Sequence, residues 1–303
     1  MPFYGVNISR SITSYKTVRN EGGFVSRIDG DAKPPFAIIM TELIKEVNVM
    51  SILEVSGIRK VYTGRFGGHK VEALRNVSFS VENGEYVAIM GESGSGKTTL
   101  LNILAALDKP TEGRVVLDGQ ELSRVKEGQI AAFRRDNLGF VFQEFNLLDT
   151  FTIEDNIYLP LVLAGKPHKE MAERLKPIAA QLGISDLLKK YPYEVSGGQK
   201  QRAAVARAII TNPKLVLADE PTGALDSKAT DELLRLFTRI NEDGRTILMV
   251  THSVKAASHA SRVLFIKDGE VFHQIYRGNS TNEQLYQKIS DTLTMLATGG
   301  ERA

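Results

Sequence analysis

The residues with the clearest chemical signature form one glycine-rich stretch that matches the pattern G-x-x-x-x-G-K-[ST]. The stretch consists of Gly91, Glu92, Ser93, Gly94, Ser95, Gly96, Lys97 and Thr98. Glycines let backbone N–H groups turn inward around a phosphate, and a following helix adds unpaired N–H groups and the positive end of its dipole. Lys97 is expected to reach the outer phosphates of a nucleotide, and the Thr98 hydroxyl to hold Mg²⁺. This P-loop therefore predicts a site for nucleotide phosphates.

Two carboxylates, Asp219 and Glu220, directly follow the apolar run Leu215–Ala218. Carboxylates are costly where a buried strand emerges, unless they serve a cation or a proton transfer. We expect Asp219 to hold Mg²⁺ through water and Glu220 to act as the base that polarises an attacking water. Taken alone, the two residues could equally be surface acids that cap the loop before Pro221.

A second helix start is indicated at Ser196, which is placed as the N-cap of the helix-forming run Lys200–Ile210. Its free N–H groups would suit another phosphate contact. By itself this could be an ordinary cap, because serine before two glycines is common in turns.

Five motifs occur together and in a fixed order along the chain. They are Gly91–Thr98, Val195–Gln199 followed by Lys200-Gln201-Arg202, Asp219–Thr222, Ala224–Asp226 and Thr251-His252. This set resembles an ATP-binding cassette (ABC) ATPase, and the resemblance covers about Ile52 to Gly278. It implies an α/β fold, namely a RecA-like P-loop ATPase core with an antiparallel β layer and an inserted helical subdomain. It also implies a head-to-tail dimer, with ATP between the P-loop of one subunit and the signature motif Val195–Gln199 of a second copy.

The same resemblance implies roles for further side chains. Gln143 would contact Mg²⁺ or the attacking water, and His252 would contact the γ-phosphate and support the base. Tyr62 would stack on adenine, and Asp226 would link the two sites of the dimer. The implied ATP-binding set is completed by Thr99, Ser196, Gly197, Gly198 and Gln199. Without the resemblance, Gln143 could be a polar residue that ends a strand, Tyr62 a packing residue and His252 a surface histidine.

Strands and helices alternate along this part of the chain, which predicts a parallel sheet with its ligand edge at the strand C-termini. Strands of that sheet are predicted at Tyr86–Met90, Leu215–Asp219, Thr246–Val250 and Val263–Lys267. An opening strand is predicted at Met50–Val55. Short alternating runs there and at Ile58–Tyr62, Val71–Leu74 and Val77–Val81 predict the antiparallel layer, and Arg114–Leu117 predicts a further strand. Helices are predicted at Thr99–Leu107, Ile153–Ala164, Lys169–Leu182, Ile184–Lys190 and Lys228–Ile240.

The pattern divides the chain into three parts. Residues 1–49 read as an N-terminal extension that is poorly ordered or not native, with an amphipathic anchor at Phe36–Val49 as the alternative. Residues 50–278 form the ATPase domain, whose helical subdomain spans about 137–212. Residues 279–303 read as a C-terminal tail, helical over Thr281–Ala297.

Composition limits the class of protein. Among 303 residues, 42% are hydrophobic, enough for a full core. Because the net charge is only +2, it indicates no general attraction to nucleic acid or to an anionic membrane. The chain has no cysteine, which fits a reducing compartment. No run approaches the roughly 20 apolar residues needed to span a bilayer, and no secretory signal is recognisable.

The stretches Phe145–Ile157 and Ala218–Asp226 resemble the subgroup that serves bacitracin-type antimicrobial-peptide exporters. We therefore expect the chain to drive an integral-membrane permease from the cytoplasmic face of the cell membrane. The apolar surface near Phe145–Phe151 would bind the permease, unless these residues simply pack the helical subdomain. Alternatives are a lipoprotein-release, macrolide-export or cell-division complex, or a soluble ABC ATPase acting on the ribosome or nucleic acid. Because the chain has neither a second cassette nor a long coiled-coil insertion, no nucleic-acid partner is expected.

Overall fold

Two β-sheets lie in the part of the chain that the computed structural model describes, residues 51–63, 68 and 70–297. The strands are β1 (Ser51–Thr63), β2 (Lys70–Glu82), β3 (Tyr86–Met90), β4 (Glu112–Leu117), β5 (Gln120–Glu121), β6 (Leu138–Val141), β7 (Leu215–Asp219), β8 (Ile247–Val250), β9 (Arg262–Lys267) and β10 (Glu270–Tyr276). The helices are α1 (Lys97–Leu104), α2 (Ile130–Asn137), α3 (Ile153–Leu163), α4 (His168–Gln181), α5 (Gly197–Ile209), α6 (Ser227–Glu242), α7 (Val254–Ala257) and α8 (Asn282–Ala297). The interpretations of residues 1–49 lie outside the described residues.

The larger sheet has the strand order β10-β9-β3-β8-β7-β6. Strands β6, β7, β8, β3 and β9 pair in parallel, and β10 pairs antiparallel with β9 at one edge. The predicted parallel sheet is therefore confirmed. Because parallel strands end at the same edge, the residues that follow β3, β6, β7 and β8 are gathered there.

The smaller sheet is antiparallel, with the order β2-β1-β4-β5. The four short runs predicted before Tyr86 merge into two strands of 13 residues each, β1 and β2. Their ladder contains several register shifts, one of them between Val55 and Ile58, where Gly57 has a φ of 59°. Such irregularities interrupt the period-two pattern without ending the strand, which is why the sequence reads as separate runs.

Three helices lie between β6 and β7. The predictions at Ile153–Ala164 and Lys169–Leu182 match α3 and α4 to within one residue. The predicted helix Ile184–Lys190 is wrong, because only Ser185–Leu187 form a single 3₁₀ turn. The carbonyls of Leu188 and Lys190 instead accept hydrogen bonds from the N–H groups of Glu154 and Ile153, at 2.9 and 2.8 Å. A tertiary contact with the start of α3 thus replaces the helical pairing.

Apolar side chains cover both faces of the larger sheet. Along β3, Tyr86, Ala88 and Met90 pack on one face, and Val87 and Ile89 pack on the other. All five residues are buried, as expected for a strand covered on both sides. No helix in the described range combines the length and apolar composition needed to cross a membrane.

Candidate nucleotide site

The P-loop connects the C-terminus of β3 to the N-terminus of α1. Gly96 occupies the N-cap position of α1 with φ 98°, a left-handed conformation that favours glycine. A Cβ at Gly96 would lie only 2.4 Å from the carbonyl oxygen of Ala73. No side chain of the described residues caps α1. The first N–H groups of this helix are therefore available to an anion.

Lys97 folds back over the loop that precedes it. Its Nζ donates hydrogen bonds to the carbonyl oxygens of Gly91 and Glu92, at 2.8 and 2.7 Å. Burial lowers the pKa of Lys97, while the negative charges of Glu220 and Asp219 act in the opposite direction. The structure thus brings the P-loop lysine and the two carboxylates into one electrostatic environment.

Asp219 is the last residue of β7, and Glu220 follows it with a φ of 44°. Burial and then the charge of Glu220 raise the pKa of Asp219, with Lys97 opposing them. A bound cation would stabilise the ionised form of Asp219, because its positive charge would offset both the burial and the negative charge of Glu220.

Three groups hold the Glu220 carboxylate. Oε2 accepts hydrogen bonds from the Thr251 hydroxyl at 3.1 Å and from the His252 N–H at 3.2 Å. Oε1 lies 2.8 Å from Nδ1 of His252, which donates when the carboxylate is ionised. The His252 side chain is 74% exposed, against 16% for Glu220. The imidazole therefore connects an enclosed carboxylate with the open side of the site.

Gln143 lies near the turn that follows Glu220. A Cβ at Gly223 would be 2.9 Å from Cδ of Gln143, so the two residues are in close contact. Gln143 is exposed and follows β6, the neighbour of β7 in the sheet. The fold thus places Gln143 against the turn that follows Glu220.

Tyr62, at the end of β1, stands next to α1 and the loop that follows it. Its hydroxyl donates to Oδ2 of Asp108 at 2.8 Å, and Nζ of Lys60 lies 4.8 Å from the ring centroid. Burial and the Asp108 bond raise the pKa of Tyr62, whereas a hydrogen bond with Thr99 lowers it. The ring is 41% exposed and stands beside the P-loop helix.

The signature motif forms the N-terminus of α5. The Ser196 hydroxyl accepts from the N–H of Gln199 at 3.3 Å, and Oε1 of Gln199 accepts from the N–H of Ser196 at 2.8 Å. A Cβ at Gly198 would be 2.9 Å from Cβ of Ala229, whose N–H donates to Oδ1 of Asp226 at 2.8 Å. The signature motif and Asp226 are thus neighbours. Within the described residues, no hydrogen bond or ion pair joins either of them to the P-loop.

One buried polar side chain near the site was not anticipated from the sequence. Gln201 on α5 is fully buried, and its Nε2 donates to the carbonyl oxygens of Phe142 at 3.1 Å and Pro221 at 2.7 Å. Gln201 thus bridges Phe142, which precedes Gln143, and Pro221, which follows Glu220. The sequence did contain a signal for this burial. Gln201 precedes Ala204 and Val205 by three and four positions, which places all three on the buried face of α5.

Comparison with known proteins adds independent evidence. The sequence model of the family described as "ABC transporter" matches residues 74–223. The ABC transporter ATP-binding protein YxdL of Bacillus subtilis is 52% identical over 81% of this chain and 95% of its own length. The bacitracin export ATP-binding protein BceA of Halalkalibacterium halodurans is 48% identical over 82% of this chain and 97% of its own.

A solved structure supports the same assignment. The ATP-binding cassette MJ0796, described as a dimer bound to ADP and Pi, superposes with a TM-score of 0.67. It is 38% identical, and the match covers 74% of this chain and 98% of MJ0796. An α/β fold with an added antiparallel sheet is therefore common to both proteins. From its motifs, fold and relatives, the chain belongs to the ABC transporter ATP-binding proteins, the ATP-hydrolysing subunits of these transporters.

Proposed function

We propose that this ATPase works with Mg²⁺ as a head-to-tail dimer and drives an integral-membrane permease that handles peptide antibiotics of the bacitracin type. The dimer would stand at the cytoplasmic face of the cell membrane. The observation that carries the proposal is that the chain has two anion-binding helix starts, at α1 and at α5, with no hydrogen bond or ion pair between them in the described residues. Within that part of the chain, no side chain caps the P-loop helix start, and Ser196 caps the second one. This supports a site in which a second copy supplies the Ser196 helix start to the nucleotide on the P-loop.

Within this proposal, each helix start contributes to phosphate binding. The free N–H groups of α1 and the Lys97 ammonium would bind the phosphates from one subunit. Ser196, Gly197, Gly198 and Gln199 of the other subunit would complete the site only when a γ-phosphate is present. Loss of that phosphate would then loosen the dimer.

Glu220 is the proposed base. Its carboxylate is enclosed and already fixed by Thr251 and His252, so it needs little reorganisation before it takes a proton from water. His252 is exposed enough to contact a γ-phosphate while it holds Glu220. Asp226 would connect the two sites across the dimer, and Tyr62 would stack on adenine beside α1.

The donor set fits Mg²⁺, which prefers hard oxygen ligands and retains several waters. Thr98, Asp219 and Gln143 offer a hydroxyl, a carboxylate and an amide oxygen. Burial and the charge of Glu220 raise the pKa of Asp219, so a bound cation would stabilise its ionised form. The described residues include no cluster of three or more acidic, histidine or cysteine side chains suited to a metal. Phosphate oxygens and water would therefore supply the remaining ligands.

The proposed permease contact is the segment Phe145–Phe151 with the adjoining groove. Leu148 and Phe151 are 45% and 40% exposed, although both are large apolar residues. A groove of about 440 Å³ adjoins the segment at Asn146 and is lined mainly by apolar residues, among them Phe140, Phe142, Leu159 and Leu163. Such a surface, close to Gln143, suits an amphipathic helix from a membrane partner.

The peptide-antibiotic cargo rests on the similarity to BceA, whose name states bacitracin export, over nearly its whole length. The proposal is tested by purifying the tagged protein from detergent-solubilised membranes of the source cell and adding bacitracin with ATP. We expect a co-purifying permease and ATP-dependent removal of the peptide from its binding site. A permease without any effect on peptides would overturn the cargo, and ribosomes or DNA in place of a permease would overturn the whole proposal.

A further inference from the structure

Two consecutive residues after Gln143 have an unusual backbone conformation. Phe145 and Asn146 have φ values of 63° and 49°, in the left-handed region that residues with a side chain seldom occupy. Asparagine tolerates this region, whereas phenylalanine is strained there. The surroundings must therefore hold this segment in place.

A single guanidinium holds both residues. Nη2 of Arg207 donates to the carbonyl oxygen of Phe145 at 2.8 Å, and Nη1 donates to the carbonyl oxygen of Asn146. Arg207 lies on α5, two turns after the signature motif at the start of the same helix. Burial lowers the pKa of Arg207, as expected for a guanidinium removed from water. No acidic side chain is recorded as its partner among the described residues, so the two carbonyls are its recorded hydrogen-bond acceptors.

The Phe145 ring connects this segment with the signature motif. A Cβ at Gly197 would lie 3.7 Å from Cζ of Phe145 and 3.8 Å from Cδ2 of Leu225. The Phe145 ring and the Leu225 side chain therefore both lie beside Gly197, the first glycine of the signature motif. Two positions before Phe145 is Gln143, at the nucleotide site of the same subunit.

We propose that Arg207 is a positioning residue that couples the two ATP sites of the dimer, by holding Phe145 and Asn146 in the conformation that links Gln143 to Gly197. The proposal rests on the head-to-tail dimer proposed above. In that dimer Gln143 serves the subunit's own nucleotide, whereas Gly197 serves the nucleotide of the other subunit. A shift of Gln143 is transmitted to Gly197 only while the intervening segment keeps one fixed shape.

The test uses the full chain and measures steady-state ATP hydrolysis as a function of ATP concentration. Arg207→Met keeps the length of the side chain but removes both donors. We expect kcat to fall by roughly 3- to 30-fold and the Hill coefficient to fall towards one. ATP affinity of the monomer, measured under conditions that prevent dimerisation, should stay unchanged.

Two further variants separate positioning from a general loss of structure. Asn146 is exposed, so Asn146→Val leaves the core intact while its branched side chain opposes the left-handed conformation. It should reproduce the kinetics of Arg207→Met with Arg207 still present. Adding Asn146→Gly to Arg207→Met should restore part of kcat and of the cooperativity, because glycine adopts positive φ freely.

Arg245→Met is the matched control. Arg245 is also partly buried and also donates to a loop residue, to Oδ1 of Asn212 at 2.9 Å, but the described residues show no hydrogen bond between it and Phe145 or Asn146. We expect wild-type cooperativity from this variant. Wild-type cooperativity in Arg207→Met, or in Asn146→Val, would overturn the coupling role. A wild-type protein with a Hill coefficient of one and no ATP-dependent dimer would overturn the proposed dimer and the coupling with it.

Discussion

Glu220 is the side chain whose surroundings best match a general base. Glu220→Gln keeps its size and its contacts with Thr251 and His252 but removes the ability to accept a proton. We expect hydrolysis to fall by at least about 100-fold, with ATP binding retained and a closed dimer accumulating. Phosphate release and size-exclusion chromatography measure the two effects. Glu242→Gln, at an exposed position of α6, is the control. Near-wild-type turnover by Glu220→Gln would remove Glu220 from this role.

Asp219 illustrates a conflict between stability and function. Because burial and the charge of Glu220 raise its pKa in the folded state, ionisation of Asp219 costs stability when no cation is present. Asp219→Asn is therefore expected to raise the melting temperature of the nucleotide-free protein by a few degrees, and to weaken binding of Mg²⁺-ATP. Differential scanning fluorimetry and nucleotide titration measure these effects. Asp149→Asn, at an exposed position, should change neither.

The pH dependence of this effect has a definite sign. Below the ordinary carboxyl pKa of 3.8, Asp219 is protonated in both the folded and the unfolded state and contributes no difference. As the pH rises from there through the raised pKa of the folded state, the folded protein binds more protons than the unfolded one, and stability falls. The advantage of Asp219→Asn over the wild type should thus grow with pH across this window. An advantage that is constant with pH would contradict the assignment.

Helix α5 begins with a cap that has two separable contributions. Ser196→Ala removes the hydrogen bond to the N–H of Gln199 and should cost about 1 kcal/mol of stability. In the proposed dimer it should also weaken the ATP-dependent dimer trapped by Glu220→Gln. Urea unfolding and analytical ultracentrifugation measure the two effects.

The cap of α3 provides a matched control for that experiment. Thr152 and Asp155 form the same reciprocal pair at the start of α3, with a bond of 3.1 Å from the Asp155 N–H to the Thr152 hydroxyl. Thr152→Ala should cost a similar stability, about 1 kcal/mol, without weakening the dimer. Equal dimer losses in the two variants would show that Ser196 acts only as a cap.

Local signals predicted most helices and strands, and their failures have identifiable causes. The segment Ile184–Lys190 has helical spacing, but its carbonyls bond to the start of α3 instead. Strand β10 was not predicted, because a seven-residue edge strand with mostly exposed residues lacks a clear apolar alternation. Helix α2 buries only Phe133, so it too carries little apolar signal. A contact with a distant part of the chain decides the outcome for Ile184–Lys190, whereas β10 forms by pairing with its chain neighbour β9.

The complete molecule is proposed to contain two composite sites, which predicts complementation between inactive variants. Lys97→Ala should lose ATP binding at its own P-loop. Gly197→Glu should place a negative charge beside the nucleotide of the other subunit, and its side chain fits because a Cβ there meets its nearest neighbour only at 3.7 Å. Each variant alone should be inactive. Mixed, they should regain hydrolysis, because one site of the heterodimer contains neither substitution.

The same mixture has a direct control. Adding Glu220→Gln to the Gly197→Glu chain removes the base from the one intact site, so activity should disappear again. If the Gly197→Glu protein alone hydrolyses ATP at the wild-type rate, the signature motif does not serve a neighbouring subunit.

The sequence by itself determined the P-loop pattern, the Ser196 cap and the acidic end of β7, because each depends on residues only a few positions apart. It also determined the family, because these short motifs occur together in a fixed order. Backbone conformation and helix capping are short-range properties, so spacing is enough to predict them. The tertiary structure decided which motifs meet. Glu220 bonds to His252, 32 positions away, and Arg207 holds the carbonyl oxygen of Phe145, 62 positions away. Such pairs depend on how β6, β7, β8 and α5 pack, because burial of apolar surface between distant segments sets their positions.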